Sequence, residues 1–138
     1  MRGEIKHIER YKQLISYGGM NLMRKITPTD IDGFIDLNGK CFIYIEGKLI
    51  NKTMDYGQRL ALENVVKSHE KANHMSCAVI FRHDTKADEI IDAKNQFVDE
   101  VYLRGKNDIF KWRKITDTKL LDFLNTYLDY AKEKNVKI

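Results

Sequence analysis

Asp32, Glu46 and Lys48 are the residues whose types and spacing most clearly suggest chemistry. All three fall within residues 27–48, TPTDIDGFIDLNGKCFIYIEGK, where two alternating runs flank Asn38-Gly39. Alternation of period two predicts strands over 30–37 and 41–48, and Asn-Gly between them is a strong hairpin signal. Successive side chains of a strand point to opposite faces. In the first run Ile31, Gly33, Ile35 and Leu37 make one set, and Asp30, Asp32, Phe34 and Asp36 the other. In the second run Cys41, Ile43 and Ile45 oppose Phe42, Tyr44, Glu46 and Lys48. The apolar sets must share a core, and that fixes register. A two-residue loop would set Asp32 against Ile45, on the wrong parity. A three-residue loop, Asn38-Gly39-Lys40, pairs Leu37 with Cys41 and sets Asp32 opposite Glu46 and Asp30 opposite Lys48. Directly opposed Cβ atoms lie about 4.5–5.5 Å apart.

Two carboxylates at that separation repel each other unless a cation lies between them. A hard divalent ion, Mg²⁺ or Mn²⁺, with oxygen ligands resolves the repulsion. Lys48 lies one pleat beyond Glu46 on the same face, where an ammonium can hold a water or offset charge on a phosphate. Together these parts suit phosphodiester hydrolysis by a metal-activated water. An ordinary solvated hairpin face would explain the charges but not the aromatics Phe34, Phe42 and Tyr44 on that face. Their presence predicts that a helix covers part of it, and partly buried carboxylates then need a partner.

The segment resembles the PD-(D/E)XK superfamily of restriction-endonuclease-like nucleases. Its signature is an Asp at the start of one strand and Glu/Asp-X-Lys on the next, matched by Asp32 in TDIDG and Glu46-Gly47-Lys48 in IYIEGK. The resemblance implies that Asp32 and Glu46 bind the metal, that the main-chain carbonyl of Gly47 assists, and that Lys48 assists the attacking water. There is no literal Pro-Asp pair, since Pro28 precedes Asp30 by two. The choice of ligand between Asp32 and Asp30 therefore stays open, with Asp36 on the same parity. A helix bearing a Gln often follows the Lys strand in the family, and DYGQRLALE supplies Gln58 as a further catalytic-site residue. Gly57 would allow close approach of a nucleic-acid backbone. The first helix of some members adds a Glu, for which Glu4 and Glu9 are candidates. The resemblance covers residues 27–66; beyond them only the element order agrees.

The elements that must position these groups follow from periodicity. Residues 4–16 predict a short helix, with Ile5, Ile8, Tyr11 and Ile15 on one face. Residues 55–72 predict a second, capped by Asp55 or Thr53, with Leu62, Val65, Val66 and His69 inward. Residues 75–82 predict a strand buried on both faces. Residues 98–104 and 108–114 predict a second hairpin, and Thr116 is expected to cap a final helix to about Glu133. Leu120, Leu124, Tyr127, Leu128 and Ala131 give that helix a clean apolar stripe. The expected fold class is α/β, an α+β mixed sheet flanked by helices. The expected architecture is a restriction-endonuclease-like core of order αββαβ(ββ)α in a single domain, 1–138.

Other patterns bear on partners. Arg104, Lys106, Lys111, Arg113 and Lys114 interleave with Tyr102, Phe110 and Trp112 in YLRGKNDIFKWRK. Cations with aromatics suit phosphate contact plus base stacking, and an amphipathic hairpin with a solvated basic face explains them equally well. Lys52, Arg59, Lys67 and Lys71 could extend a basic rim. His69, His74 and Cys77 lack a fourth ligand for zinc. No Walker A or dinucleotide-binding glycine pattern occurs.

The formal charge of +4 permits a polyanionic partner without demanding one. Cys41 and Cys77 sit in apolar runs, as expected of reduced, buried thiols in an intracellular protein. The opening MRGEIKHIERYKQ is too polar for a secretory h-region. No apolar stretch is long enough to span a bilayer, so no membrane association is expected. The combined expectation is a cytoplasmic, Mg²⁺-dependent deoxyribonuclease of a bacterial or phage-infected cell. It would select its DNA substrate by structure, branched or single-stranded, and a branched substrate would call for a homodimer. The rival expectation is a catalytically silent nucleic-acid-binding or nuclease-inhibiting protein of the same fold.

Overall fold

A computed structural model describes residues 15–17, 19–20 and 28–134. Nearly all of the helix expected over 4–16, with Glu4 and Glu9, lies outside the described residues. The described chain runs β1 (Gly33–Leu37), β2 (Cys41–Leu49), α1 (Tyr56–Lys71), β3 (Met75–His83), β4 (Phe97–Arg104), β5 (Phe110–Lys114) and α2 (Leu120–Glu133). The five strands form one mixed sheet in sequence order. Only the β2–β3 pair is parallel, and α1 is the crossover that a parallel step requires.

The first hairpin has the three-residue loop. Leu37 pairs with Cys41, Ile35 with Ile43 and Gly33 with Ile45. The turn places Asn38 at φ 55° and Gly39 at φ 66°, so two successive residues are left-handed, where Asn and Gly cost least. Asp36 Oδ1 accepts a hydrogen bond from Gly39 N at 2.7 Å and closes the turn.

Each sheet face carries its own core. One is Cys41, Ile43, Cys77, Val79, Phe81, Val98 and Val101 against Leu120, Tyr127 and Ala131 of α2. The other is Tyr44, Ala78, Ile80 and Tyr102 against Met54 and against Leu62 and Val66 of α1. β3 contributes alternate residues to both, and this explains its unbroken apolar run. Of the three hairpin aromatics, Tyr44 is buried, Phe42 is half-buried and Phe34 is 54% exposed. Phe42 stacks on His69 of α1 with ring centroids 3.9 Å apart. Tyr44 Oη and His69 Nε2 form a 2.7 Å hydrogen bond.

Of the two described helix starts, one falls where expected and one does not. Asp55 occupies the N-cap position of α1 but makes no side-chain cap bond. The last helix begins at Leu120, not after Thr116. Leu120 N donates to Gln96 O at 2.8 Å, and Lys119 bridges Phe97 in an antiparallel contact. Residues 115–119 are thus held out of the helix by hydrogen bonds to β4, and that tertiary pairing overrides the local cap signal.

Candidate active site

Glu46 and Ser76 are the buried polar or charged side chains among the described residues, and Glu46 is 3% exposed. Its strand parity aims it at the α1 face, beyond Tyr44 and beside Ile80, its register partner on β3. Asp32 lies one residue before β1, where continuation of the hairpin register sets it opposite Glu46. Its Oδ2 accepts a hydrogen bond from Gly47 N at 2.8 Å, which pins the exposed carboxylate across the end of β2. Lys48 Nζ stands 3.9 Å from Glu46 Oε1. Gln58, in the first turn of α1, reaches the same end of the sheet, its Nε2 lying 3.5 Å from Asp30 O.

Electrostatics follow from that placement. Burial pushes the Glu46 carboxyl up to about 7, and the charge of Asp32 and a hydrogen bond shared with it add to the effect. The Gln58 side chain and the Lys48 ammonium act in the opposite direction without cancelling it. Glu46 Oε2 is buried with no hydrogen-bond partner among the described residues. A buried acceptor left unmet costs about 1–3 kcal/mol, so a group that would meet it has an energetic foothold here.

Gly47 is fixed by packing. A Cβ there would come within 2.5 Å of Phe81 Cζ on the α2 face. The ring therefore lies flush against the backbone between the two acidic and basic side chains.

Of the three aspartates on one parity, the structure brings Asp32 to Glu46. Asp36 closes the turn, and Asp30 meets the site through its backbone carbonyl to Gln58. The facing of Asp30 and Lys48 expected from the register is not part of the ladder, since β1 begins at Gly33. Among the described residues no group of three or more His, Cys, Asp or Glu side chains could hold a metal. The donor set is therefore two carboxylates, with backbone carbonyl, water and ligand oxygens to complete a shell. That suits Mg²⁺, which keeps several waters and is bound by one or two carboxylates plus substrate phosphate. The orphaned Oε2 and the repulsion between Asp32 and Glu46 both fit a hard cation.

The residues expected to contact nucleic acid divide in two. Lys52, Lys106 and Lys111 are exposed. The others are engaged within the fold. Arg59 Nη2 pairs with Glu100 Oε2 at 2.8 Å, and its guanidinium lies 4.6 Å above the Trp112 ring. Trp112 Nε1 donates to Glu63 Oε2 at 2.9 Å. Arg104 pairs with Glu70 at 3.2 Å and with Asp108 at 3.4 Å. Arg113 Nη1 donates to Leu103 O at 3.1 Å and lies close over Gly105.

Residues that the pattern did not single out also frame the site. Arg82 pairs with Asp99 at 3.0 Å, and its Nη1 donates to Leu49 O at 3.1 Å and also to Lys52 O, fixing the turn after β2. The carbonyl of His83, at the end of β3, accepts a hydrogen bond from Ile50 N at 2.8 Å, and the His83 Nδ1 is buried without a partner among the described residues. An arginine and a histidine closing an otherwise apolar strand, SCAVIFRH, were the available signal. No helix among the described residues is long and apolar enough to cross a membrane. Compared with protein-family models, curated proteins and solved structures, the chain matches none.

Proposed function

We propose that the chain is a divalent-metal-dependent deoxyribonuclease of the PD-(D/E)XK, restriction-endonuclease-like superfamily. One observation carries this reading. Glu46 is buried with an unmet Oε2, it faces Asp32 across a hairpin end, and Lys48 stands 3.9 Å from its other oxygen. Such an arrangement is costly for a structural ion pair, because the buried Glu46 carboxylate has a second acid opposite it and one base 3.9 Å away. It is favourable for a site that receives a cation.

Asp32 and Glu46 would hold Mg²⁺ or Mn²⁺. The bound ion would supply charge neutralisation on the phosphate and a water acidified toward neutral pH. Lys48 offsets the negative charge that builds on the phosphoryl oxygens and orients the attacking water by hydrogen bonding. Gln58 fixes the segment before β1 through Asp30 O and so sets the approach of Asp32. The reaction forms one P–O bond to the water oxygen and breaks one P–O bond to the sugar. A branched or single-stranded DNA, read by its backbone and shape, suits a site at a sheet end.

The test is incubation with single-stranded, duplex and branched DNA in Mg²⁺, Mn²⁺ or EDTA. Cleavage should require metal and fall by at least about 10³-fold in Asp32→Ala, Glu46→Gln and Lys48→Ala, the scale of losing an essential electrostatic group. Activity persisting in Glu46→Gln would exclude the site. The rival reading is a catalytically silent nucleic-acid-binding or nuclease-inhibiting protein of the same fold. Binding without cleavage under either metal would identify it.

A further inference from the structure

A cavity of about 360 Å³ opens at the same end of the sheet beyond the β2 backbone. Lys48, Lys52, His83 and Lys86 line it, with Gly47 as the shared wall between it and the carboxylate pair. We propose that this basic cavity is a phosphate subsite for the nucleic-acid strand, holding a phosphate next to the one attacked. The proposal rests on the nuclease reading for the direction of the strand, not for the chemistry of the cavity.

Three facts make it a built cavity and not a chance cluster of surface lysines. The position of Lys52 is set by backbone, since its carbonyl is held by Arg82 and the preceding Ile50 N by His83 O. Lys86 opens a tight turn in which Glu89 N donates to Lys86 O at 3.0 Å and Glu89 Oε1 accepts from Lys86 N at 3.2 Å. The single carboxylate on the cavity wall is thereby committed to backbone. Among the described residues, neither Lys52 nor Lys86 meets a carboxylate within ion-pair distance. Finally, His83 carries one of the two buried side-chain polar atoms without a partner among the described residues, and the other belongs to Glu46. Both unmet atoms stand at this end of β2 and β3. A phosphate diester has the charge and acceptor oxygens to satisfy the Lys52 and Lys86 ammonium groups, while Lys48 stays with Glu46.

The experiment measures binding to a fluorescent DNA in EDTA across a salt series, alongside cleavage by the same proteins in Mg²⁺. Log Kobs falls with log salt by about 0.9 for each phosphate neutralised on duplex and about 0.7 on single strands. Lys52→Ala/Lys86→Ala should reduce the magnitude of that slope by about 1–2 and raise KM with kcat little changed. His83→Gln should weaken binding without altering the slope as much. Lys132→Ala/Lys134→Ala, at the far end of α2, should leave the slope as in wild type. An unchanged slope in Lys52→Ala/Lys86→Ala while wild type cleaves DNA overturns the subsite and leaves the nuclease reading standing. A reduced slope in a wild-type background that cleaves nothing supports the subsite and removes the nuclease reading. Loss of inorganic phosphate binding with no change in DNA slope would also overturn it, since the cavity would then take a free anion and not a strand.

Discussion

Glu46 puts its charge where charge is least welcome. Its ordinary carboxyl value is 4.5, and burial with Asp32 opposite moves it to about 7. The fold thus prefers the protonated form when no cation is present. A folded-state value above the unfolded one means stability present below about 4.5 and lost as pH rises through 7. The shift corresponds to up to about 3 kcal/mol. In EDTA the melting temperature of Glu46→Gln should therefore exceed that of wild type increasingly from pH 5 to pH 8. Taking the difference between the two proteins removes the titration of every other group. Saturating Mg²⁺ should close or invert the gap, because only wild type offers the carboxylate. A constant difference across that pH range would show that Glu46 is not held in the protonated form. Next to it, Gly47 is required by sterics. Gly47→Ala places a methyl group 2.5 Å from a ring carbon of Phe81, itself 5% exposed and packed in the α2-face core. Overpacking of this kind typically costs about 1–3 kcal/mol, to be read as a lower urea midpoint. Cleavage should fall as well, because moving β2 off Phe81 moves Glu46 and Lys48 apart.

At the scale of elements, the N-terminal half of α1 is tied down by Gln58 near the carboxylates and by polar contacts to β4 and β5. Arg59 joins Glu100 and stacks on Trp112, which in turn donates to Glu63. The Glu100 side chain is 13% exposed, so Arg59→Ala leaves a mostly buried acid with Lys114 Nζ at 3.8 Å in place of a 2.8 Å guanidinium pair. That should cost about 1–3 kcal/mol in denaturant unfolding and leave the DNA salt slope within error of wild type. A large loss of DNA affinity at unchanged stability would instead return Arg59 to the binding surface. This network also shows what the sequence could and could not convey. The hairpin register followed from parity, because the inward sets Ile35, Leu37 and Cys41, Ile43 must share a face, which a two-residue loop forbids. The α1 stripe and the doubly buried β3 were equally legible from spacing. Arg59, Arg104, Arg113 and Trp112 were not. Interleaved bases and aromatics look alike whether they face a ligand or a partner strand, and Glu100 lies 41 residues from Arg59. The start of α2 was missed for a related reason. Thr116 is a good local cap, but β4 claims residues 115–119 by long-range pairing. Asp32 itself became distinguishable from Asp30 and Asp36 only through Gly47 N and the Asp36 turn.

For the molecule as a whole, β3 divides the sheet into two cores that share one backbone. Val79 belongs to the α2 face and Ile80 to the α1 face, and both are fully buried. The candidate site lies on the α1 face, with Ile80 the register partner of Glu46. Truncating either residue leaves a cavity and costs on the order of 1–5 kcal/mol. A domain of this size should still unfold in one cooperative transition, so stability alone would not separate the two faces. Metal linkage should. A cation that binds only the folded protein stabilises it by RT ln(1 + [L]/Kd), about 2.7 kcal/mol at one hundred times Kd. Val79→Ala should keep the full Mg²⁺-dependent rise in melting temperature on a lower baseline, since the sheet stands between its cavity and the carboxylates. Ile80→Ala should lose part of that rise, because the space it leaves lets Glu46 turn away from Asp32 into the α1 face. Equal Mg²⁺ responses in the two variants would mean that Glu46 is positioned by the hairpin backbone alone. A diminished response in Val79→Ala would mean that the faces are coupled through β3 and that the site depends on both cores.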